Sequence, residues 1–389
     1  MKFVLRGFLQ ICLLVLIVGA TNARAAELSE FYRGVRAMGM GNAFTALAAD
    51  ADAVFYNPAG LSLNRAVSFH LFNPKIDASR DDVESVASIK ETASGFDAGA
   101  LSKFFGKNLY ASATAYPSIQ VPGFAIGYYY GANFHVVSRN QAMPRVEARY
   151  YTDKGVVSGL SREFRGISRR HFFRVGTTVK WLQRQGFDTV IPFHRLVNVD
   201  KDYFKSLIVG PEYGWGIDLG VQYEMPLTKN TDLILASAWH DIGDTNFGDN
   251  RGSGRPPKIR NNLTAGGAFI YRIGRLLGRQ ADFKIAAEAR HLVEEDIDPR
   301  LQSHLGAELN IAGLGFQAGV NQSSLTGGVS LDMGFLKVAA VTYGVDNQAY
   351  AMMDRERRYM LQIDIGLDIG GKVFKTNRDE NRRKYPRQY

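Results

Sequence analysis

The chain has 389 residues, 46% hydrophobic and 22% charged, with 40 glycines, 12 prolines and one cysteine. Those proportions exclude a disordered polypeptide and a bundle of membrane helices, and a single cysteine excludes a disulfide framework or a cysteine zinc site within one chain. The formal charge of +9 resides mainly at the two ends, which argues against a nucleic-acid-binding surface.

Residues 1–25 open with Lys2 and Arg6, continue through an apolar run from Ile11 to Ala20, and end in Ala23-Arg24-Ala25. A basic start, a short apolar run and a small-residue cleavage site predict a secretory signal peptide removed after Ala25. The run is too short for a membrane anchor, which needs about 20 apolar residues. Cys12 leaves with the signal, and the loss of Lys2, Arg6 and Arg24 lowers the charge to +6.

Residues 26–62 show no alternation. Small residues and methionines dominate, with Gly39 and Gly41 in the middle and Asn57-Pro58-Ala59-Gly60 near the end. So short a piece cannot fold alone. It is expected to be a helical plug in the lumen of a barrel. Gly39 and Gly41 would allow close backbone approach to the wall. Pro58 would fix a turn that Asn57 caps. Arg33 and Arg36 are expected to pair with wall carboxylates, and Phe44 belongs to the same plug.

From residue 63 to 370 no second long apolar stretch occurs. A chain of this kind enters a membrane only as a closed barrel, whose signature is segments of about ten residues alternating in polarity. Strands are predicted near 65–73, 108–116, 122–138, 144–152 and 172–183, with 74–107 (a helix at Asp82–Thr92) and 153–171 as loops. The alternation is clear from Tyr213 to Glu224, where Tyr213, Trp215, Ile217, Leu219 and Val221 oppose Gly214, Gly216, Asp218, Gly220 and Gln222. It recurs over 301–311 and 359–370. The connections 184–212, 241–259, 292–300 and 346–356 are long; 225–230, 312–313, 322–323 and 333–334 are short, and 272–280 is intermediate. About 14 antiparallel strands result, an all-β transmembrane barrel with long loops outside and both ends periplasmic. The predicted lumen face collects Arg174, Lys180, Asp218, Glu224, Glu308, Asp332, Asp364 and Asp368. Trp181, Trp215 and Trp239 fall on the apolar face, as an aromatic belt at the outer interface. Residues 371–389 hold seven basic residues against Asp379 and Glu380. They are expected to be a disordered periplasmic tail, with anionic cell-wall material as its prospective partner.

The run Arg33-Gly34-Val35-Arg36-Ala37-Met38-Gly39-Met40-Gly41-Asn42-Ala43-Phe44, followed by Asp50, Asp52, Ala53 and Asn57-Pro58-Ala59-Gly60-Leu61, resembles the N-terminus of outer-membrane long-chain fatty-acid transporter (FadL-type) barrels. The shuttle barrel of type IX secretion and a conjugal-transfer-like group share this opening. The stretch from His240 to Phe247 looks like a recurrent loop of those relatives. The resemblance implies a 14-strand barrel with an N-terminal hatch to which Asn57, Pro58 and Ala59 belong. The sequence departs from it in the basic tail, which places Tyr389 well past the last strand.

Catalytic constellations are missing. Neither G-x-S-x-G nor H-E-x-x-H occurs, and the neighbours Ser303 and His304 fall on opposite faces of a strand. Asp50 and Asp52 are too few for a calcium site. No enzyme activity, metal or cofactor is expected. The expected function is passive uptake of hydrophobic or amphipathic small molecules across the outer membrane of a Gram-negative bacterium. The lumen face is polar, so this expectation rests on the resemblance. Outer-membrane lipid and the barrel-assembly machinery are the expected partners, and no nucleic acid is. The alternative is a non-conducting barrel that docks or shuttles exported proteins. A lateral gap beside the plug favours uptake; a large apolar patch on the external loops favours docking.

Overall fold

The structure, a computed structural model, describes residues 30–80, 108–139, 145–166, 168, 170–192, 206–248, 256–277, 279–294, 297–346 and 355–369. The expected signal peptide, the helix at Asp82–Thr92 and the basic tail lie outside the described residues.

One antiparallel sheet closes on itself. The first stave is split into β1a (Val67–Phe72) and β1b (Lys75–Ser79), both paired to the last strand. The second is split into β2a (Asn108–Ala115) and β2b (Ser118–Val121), both paired to the third. Then follow β3 (Phe124–Arg139), β4 (Arg145–Arg165), β5 (Phe172–Pro192), β6 (Val209–Pro226), β7 (Thr231–His240), β8 (Asn262–Leu276), β9 (Arg279–Ala289), β10 (Ser303–Ile311), β11 (Leu314–Asn321), β12 (Ser324–Asp332), β13 (Leu336–Asp346) and β14 (Arg355–Ile369). Sixteen segments thus form fourteen staves, and β14 against β1a and β1b closes the ring. No described helix is long and apolar enough to cross a membrane.

The barrel is apolar outside and polar inside. Along β14, Tyr359, Leu361, Ile363, Ile365, Leu367 and Ile369 are exposed. Along β6, Tyr213, Trp215, Ile217, Leu219 and Val221 are exposed while Asp218, Gln222 and Glu224 are buried. A soluble barrel would reverse this pattern; lipid requires it. Trp181, Trp215 and Trp239 all lie on the outer face. Trp181 sits directly across from Trp215 and stacks on Tyr213 at 5.6 Å, whereas Trp239 pairs with Leu219.

Several boundaries differ from the sequence expectation. Residues 153–165 continue β4, and 184–192 continue β5, so much of two expected loops is strand. Strand β8 runs on to Leu276, which leaves a tight turn before Arg279. The largest difference is at the first two staves. Pro74 and Pro117 have no N–H for the ladder, so each stave is interrupted there and resumes. The Asn73 side chain crosses the two breaks: its amide donates to Tyr116 O and its carbonyl accepts from Tyr116 N, both at 2.7 Å.

Candidate functional site

Residues 30–64 lie within the barrel. Short helices at Val35–Gly39 and Ala53–Tyr56 and a 3-10 helix at Pro58–Leu63 leave many backbone groups without partners of their own. Inward-facing wall side chains supply them. The Glu288 carboxylate accepts from Phe44 N at 2.9 Å, Thr45 N at 2.7 Å and Thr45 Oγ1 at 2.7 Å. Gln222 donates to Ala46 O, Thr178 to Val54 O, Ser161 to Ala59 O and Thr326 to Gly39 O. His304 Nδ1 lies 2.9 Å from Gly41 O.

Asn57 ties the segment both to itself and to the wall. Its side chain accepts from Ala59 N, closing the turn at Pro58, and donates to Thr45 O and to Val221 O of the wall, each at 3.1 Å. The wall has glycine where this turn presses on it. A Cβ at Gly220 would lie 2.1 Å from Asn57 Oδ1, and one at Gly176 would lie 2.4 Å from the Pro58 carbonyl carbon. On the segment itself Gly41 has φ +62 and meets the wall backbone at Leu305 and Val320, where a Cβ would come within 2.5 Å. Ala59 and Gly60 are buried in the same contact zone, and Gly39 packs on Gln317.

The two plug arginines differ. Arg36 makes the expected pair, bidentate to Glu308 at 2.7 and 2.6 Å, and adds Asp50 at 3.4 Å. Its guanidinium also covers the Phe44 ring at 5.1 Å. Arg33 reaches Glu30 of its own segment at 3.9 Å and the Tyr110 hydroxyl at 3.3 Å, and its charge also acts on the wall carboxylate Asp77. Arg174, Lys180, Asp218 and Glu224 of the predicted lumen residues form buried ion pairs across the wall. Arg174 binds Glu163, Gln222 and Glu224 at 2.8, 2.9 and 2.6 Å. Lys180 joins Asp218 at 2.8 Å to Asp241 at 2.7 Å, which holds the loop after β7 inside the barrel mouth. Asp364 pairs with His70 at 2.9 Å. Asp332 lies 3.8 Å from Arg279, and Asp368 is exposed near the end of β14. Glu288 was not among the predicted residues. Its signal is the alternation Asp282, Lys284, Ala286, Glu288 along β9, where small alanines dilute the polar face.

Cavities flank the segment among the described residues. One, of about 400 Å³, lies toward the short-turn end and is lined by Arg36, Asp50, Asp52, His70, Asn73, Asp282, Glu308 and Asp364. Another, of about 40 Å³, lies on the far side against Glu30, Phe31 and Arg33.

Two ionisable groups at the ends of the segment, Asp52 and His291, share a direction with pH. Burial, then the neighbouring Asp50 charge, pushes Asp52 up to about 6 against the opposing Lys75 charge and Tyr32 hydroxyl. At the other end Glu30 ties to Arg290 at 2.8 Å and lies 3.9 Å from His291. Burial opposes charge on His291, but its bonds to Glu294 and Glu30 outweigh burial and raise it above its ordinary value. A carboxyl or imidazole raised on folding stabilises the fold below its unfolded pKa and loses that contribution as pH climbs through the folded one. Both groups therefore weaken the segment's seat as pH rises. Single-channel opening of the reconstituted barrel is expected to become more frequent as pH rises through about 6, where Asp52 gives up its proton, and again above the ordinary imidazole range, where His291 does. Asp52→Asn should remove the lower part of that rise and His291→Gln the upper part; a flat profile in the parent protein contradicts it.

No protein family and no curated protein matches the chain. Among solved structures, the CymD monoaromatic hydrocarbon channel has a TM-score of 0.44 at 11% identity, over 90% of this chain and 99% of that one. The Ralstonia pickettii toluene transporter TbuX has 0.44 at 10%, over 87% and 98%. CdiB from Acinetobacter baumannii has 0.35 at 13%, and there this chain spans 60% of the other's length. Likeness this slight does not bear on cargo, and the fold rests on the strand pairing described above.

Proposed function

We propose that this chain is an outer-membrane barrel passing hydrophobic or amphipathic small molecules into the periplasm, with residues 26–62 as its hatch. The observation that carries this reading is the break shared by the first two staves, with a cavity behind it. Asn73 both bridges the break and lines the 400 Å³ cavity. Everywhere else along these staves a ladder of backbone bonds must part to open the wall; here one amide side chain must turn. The outer surface beside the break is apolar, with Leu71, Phe72, Ile76 and Ile119 exposed. Behind it, Tyr116 meets Phe55 of the hatch edge-on at 4.9 Å. A molecule dissolved in the bilayer would pass from apolar surface to aromatic lining to polar cavity, and leave at the short-turn end.

Asn73→Ala removes the bridge and is expected to raise several-fold the entry of a lipid-soluble fluorophore into proteoliposomes. Tyr116→Trp fills the space behind the break and is expected to lower it. Heat-modifiable migration on gels reports that each variant has folded. Entry that is the same in both variants and the parent refutes a path through the break.

A further inference from the structure

The small pocket beside the start of the hatch contains polar atoms that the fold leaves unsatisfied. Asp77 is 3% exposed. One of its oxygens accepts from the Tyr343 hydroxyl, while the other, Oδ1, is buried without a hydrogen-bond partner. Thr114 Oγ1 is buried without a partner too, and both residues line the same pocket. Buried polar atoms of this kind are rare in native proteins and each needs a reason.

The charges around them are already paired or balanced. Three carboxylates (Glu30, Asp77, Asp153) and three cations (Arg33, Lys75, Arg149) line the pocket. Glu30 is held by Arg290, Asp153 by Arg184 through two bonds, and Arg149 by Asp188. Lys75 donates to Arg33 O, sits over the Tyr32 ring and has the Asp52 carboxylate as its foremost charged neighbour, which leaves Arg33, of the pocket's cations, to balance Asp77. An incoming charge would therefore unbalance the site, whereas a neutral hydroxyl would complete it by donating to Asp77 Oδ1 and bonding Thr114 Oγ1. The remaining walls include Phe31, Tyr110, Tyr129 and Tyr151, which suit an apolar or aromatic body. A volume of about 40 Å³ holds roughly three water-sized groups, so it takes the end of a molecule rather than the whole.

We infer that this pocket is a recognition site for the hydroxyl end of a neutral amphipathic molecule, of the phenol or alcohol class. The inference rests on the uptake reading and narrows its cargo: a hydroxylated compound is selected over the bare hydrocarbon and over the carboxylate.

The matched probes are p-cresol, toluene and p-toluate, titrated calorimetrically into the purified full-length barrel. A hydrogen bond to a buried charged group predicts p-cresol binding at least about tenfold tighter than toluene, with p-toluate weakest. Thr114→Val, which keeps shape and removes the hydroxyl, and Asp77→Asn should each bring p-cresol toward toluene's affinity. Equal binding of p-cresol and toluene, as for a pocket that merely holds water, overturns the inference. So does unchanged p-cresol affinity in Thr114→Val. Transport separates the two readings. If both neutral probes cross liposomes but bind alike, uptake stands and this inference falls. If p-cresol binds selectively but neither crosses, the reverse holds.

Discussion

Deleting residues 29–60 should leave a barrel that assembles and shows heat-modifiable migration, yet admits sucrose that the intact chain excludes. The fourteen staves are hydrogen-bonded to one another, and none of those ladders runs through the segment. What the wall loses is a set of side-chain bonds at Glu288, Gln222, Thr178, Ser161, Thr326 and Glu308. Once the segment is gone these groups face a water-filled lumen, so they are rehydrated rather than orphaned, and the heavy penalty of an unpaired buried group does not arise. A barrel of fourteen staves is too wide for its own side chains to fill. Swelling of proteoliposomes in sucrose should therefore rise from near the lipid background to a rate typical of an open pore. A swelling rate equal to the parent's means that the segment does not occlude the lumen.

The parts of this architecture that were legible in the sequence are those where one face meets lipid and the other meets charge. Tyr213 to Glu224 and Tyr359 to Ile369 alternate because their outer residues have no choice but to be apolar. Residues 153–165 failed to declare themselves because part of their inner face meets the N-terminal segment rather than water. Val157 is fully buried there, and Gly159 leaves room for Leu61 and Val54. With Gly155, Val157 and Gly159 on the inner face and Lys154 and Arg162 on the outer, the period of two disappears. Pro74 and Pro117 misled in another way. Each was read as the end of a strand, whereas each marks a break within one, and only three-dimensional pairing to β14 and β3 shows the continuation. The inward glycines were legible as close approaches, but their partners were not, since nothing local says that Asn57 will meet Gly220. Arg36 found a wall carboxylate and Arg33 reached Glu30.

Lys180→Met should cost the barrel roughly 3–5 kcal/mol, the usual penalty for removing one partner of a buried ion pair. Lys180 is 2% exposed, with its ammonium 2.8 Å from Asp218 and 2.7 Å from Asp241. Methionine fills the same space and supplies no charge, so two carboxylates remain together out of water. They are not equally trapped. Asp218 is on β6 and cannot leave, whereas Asp241 is on the loop after β7, which enters the mouth over Gly214 and Gly216. The cheapest relief is for that loop to swing out and carry Asp241 into solvent, giving up the Thr245 bond at 2.7 Å and the burial of Phe247. The variant should thus show two linked changes: a lower temperature for loss of the heat-modifiable band, and new protease cleavage within residues 241–261. Adding Asp241→Asn should restore much of both, because the amide oxygen still accepts from Thr245 and one charge is gone. High salt should not substitute for the second change, since ions do not reach a pair this deeply buried. If Lys180→Met alone leaves both measurements at parental values, the loop is not latched by this charge cluster, and its place in the mouth depends on Phe247 and the bridge between Thr245 and Ile259 instead.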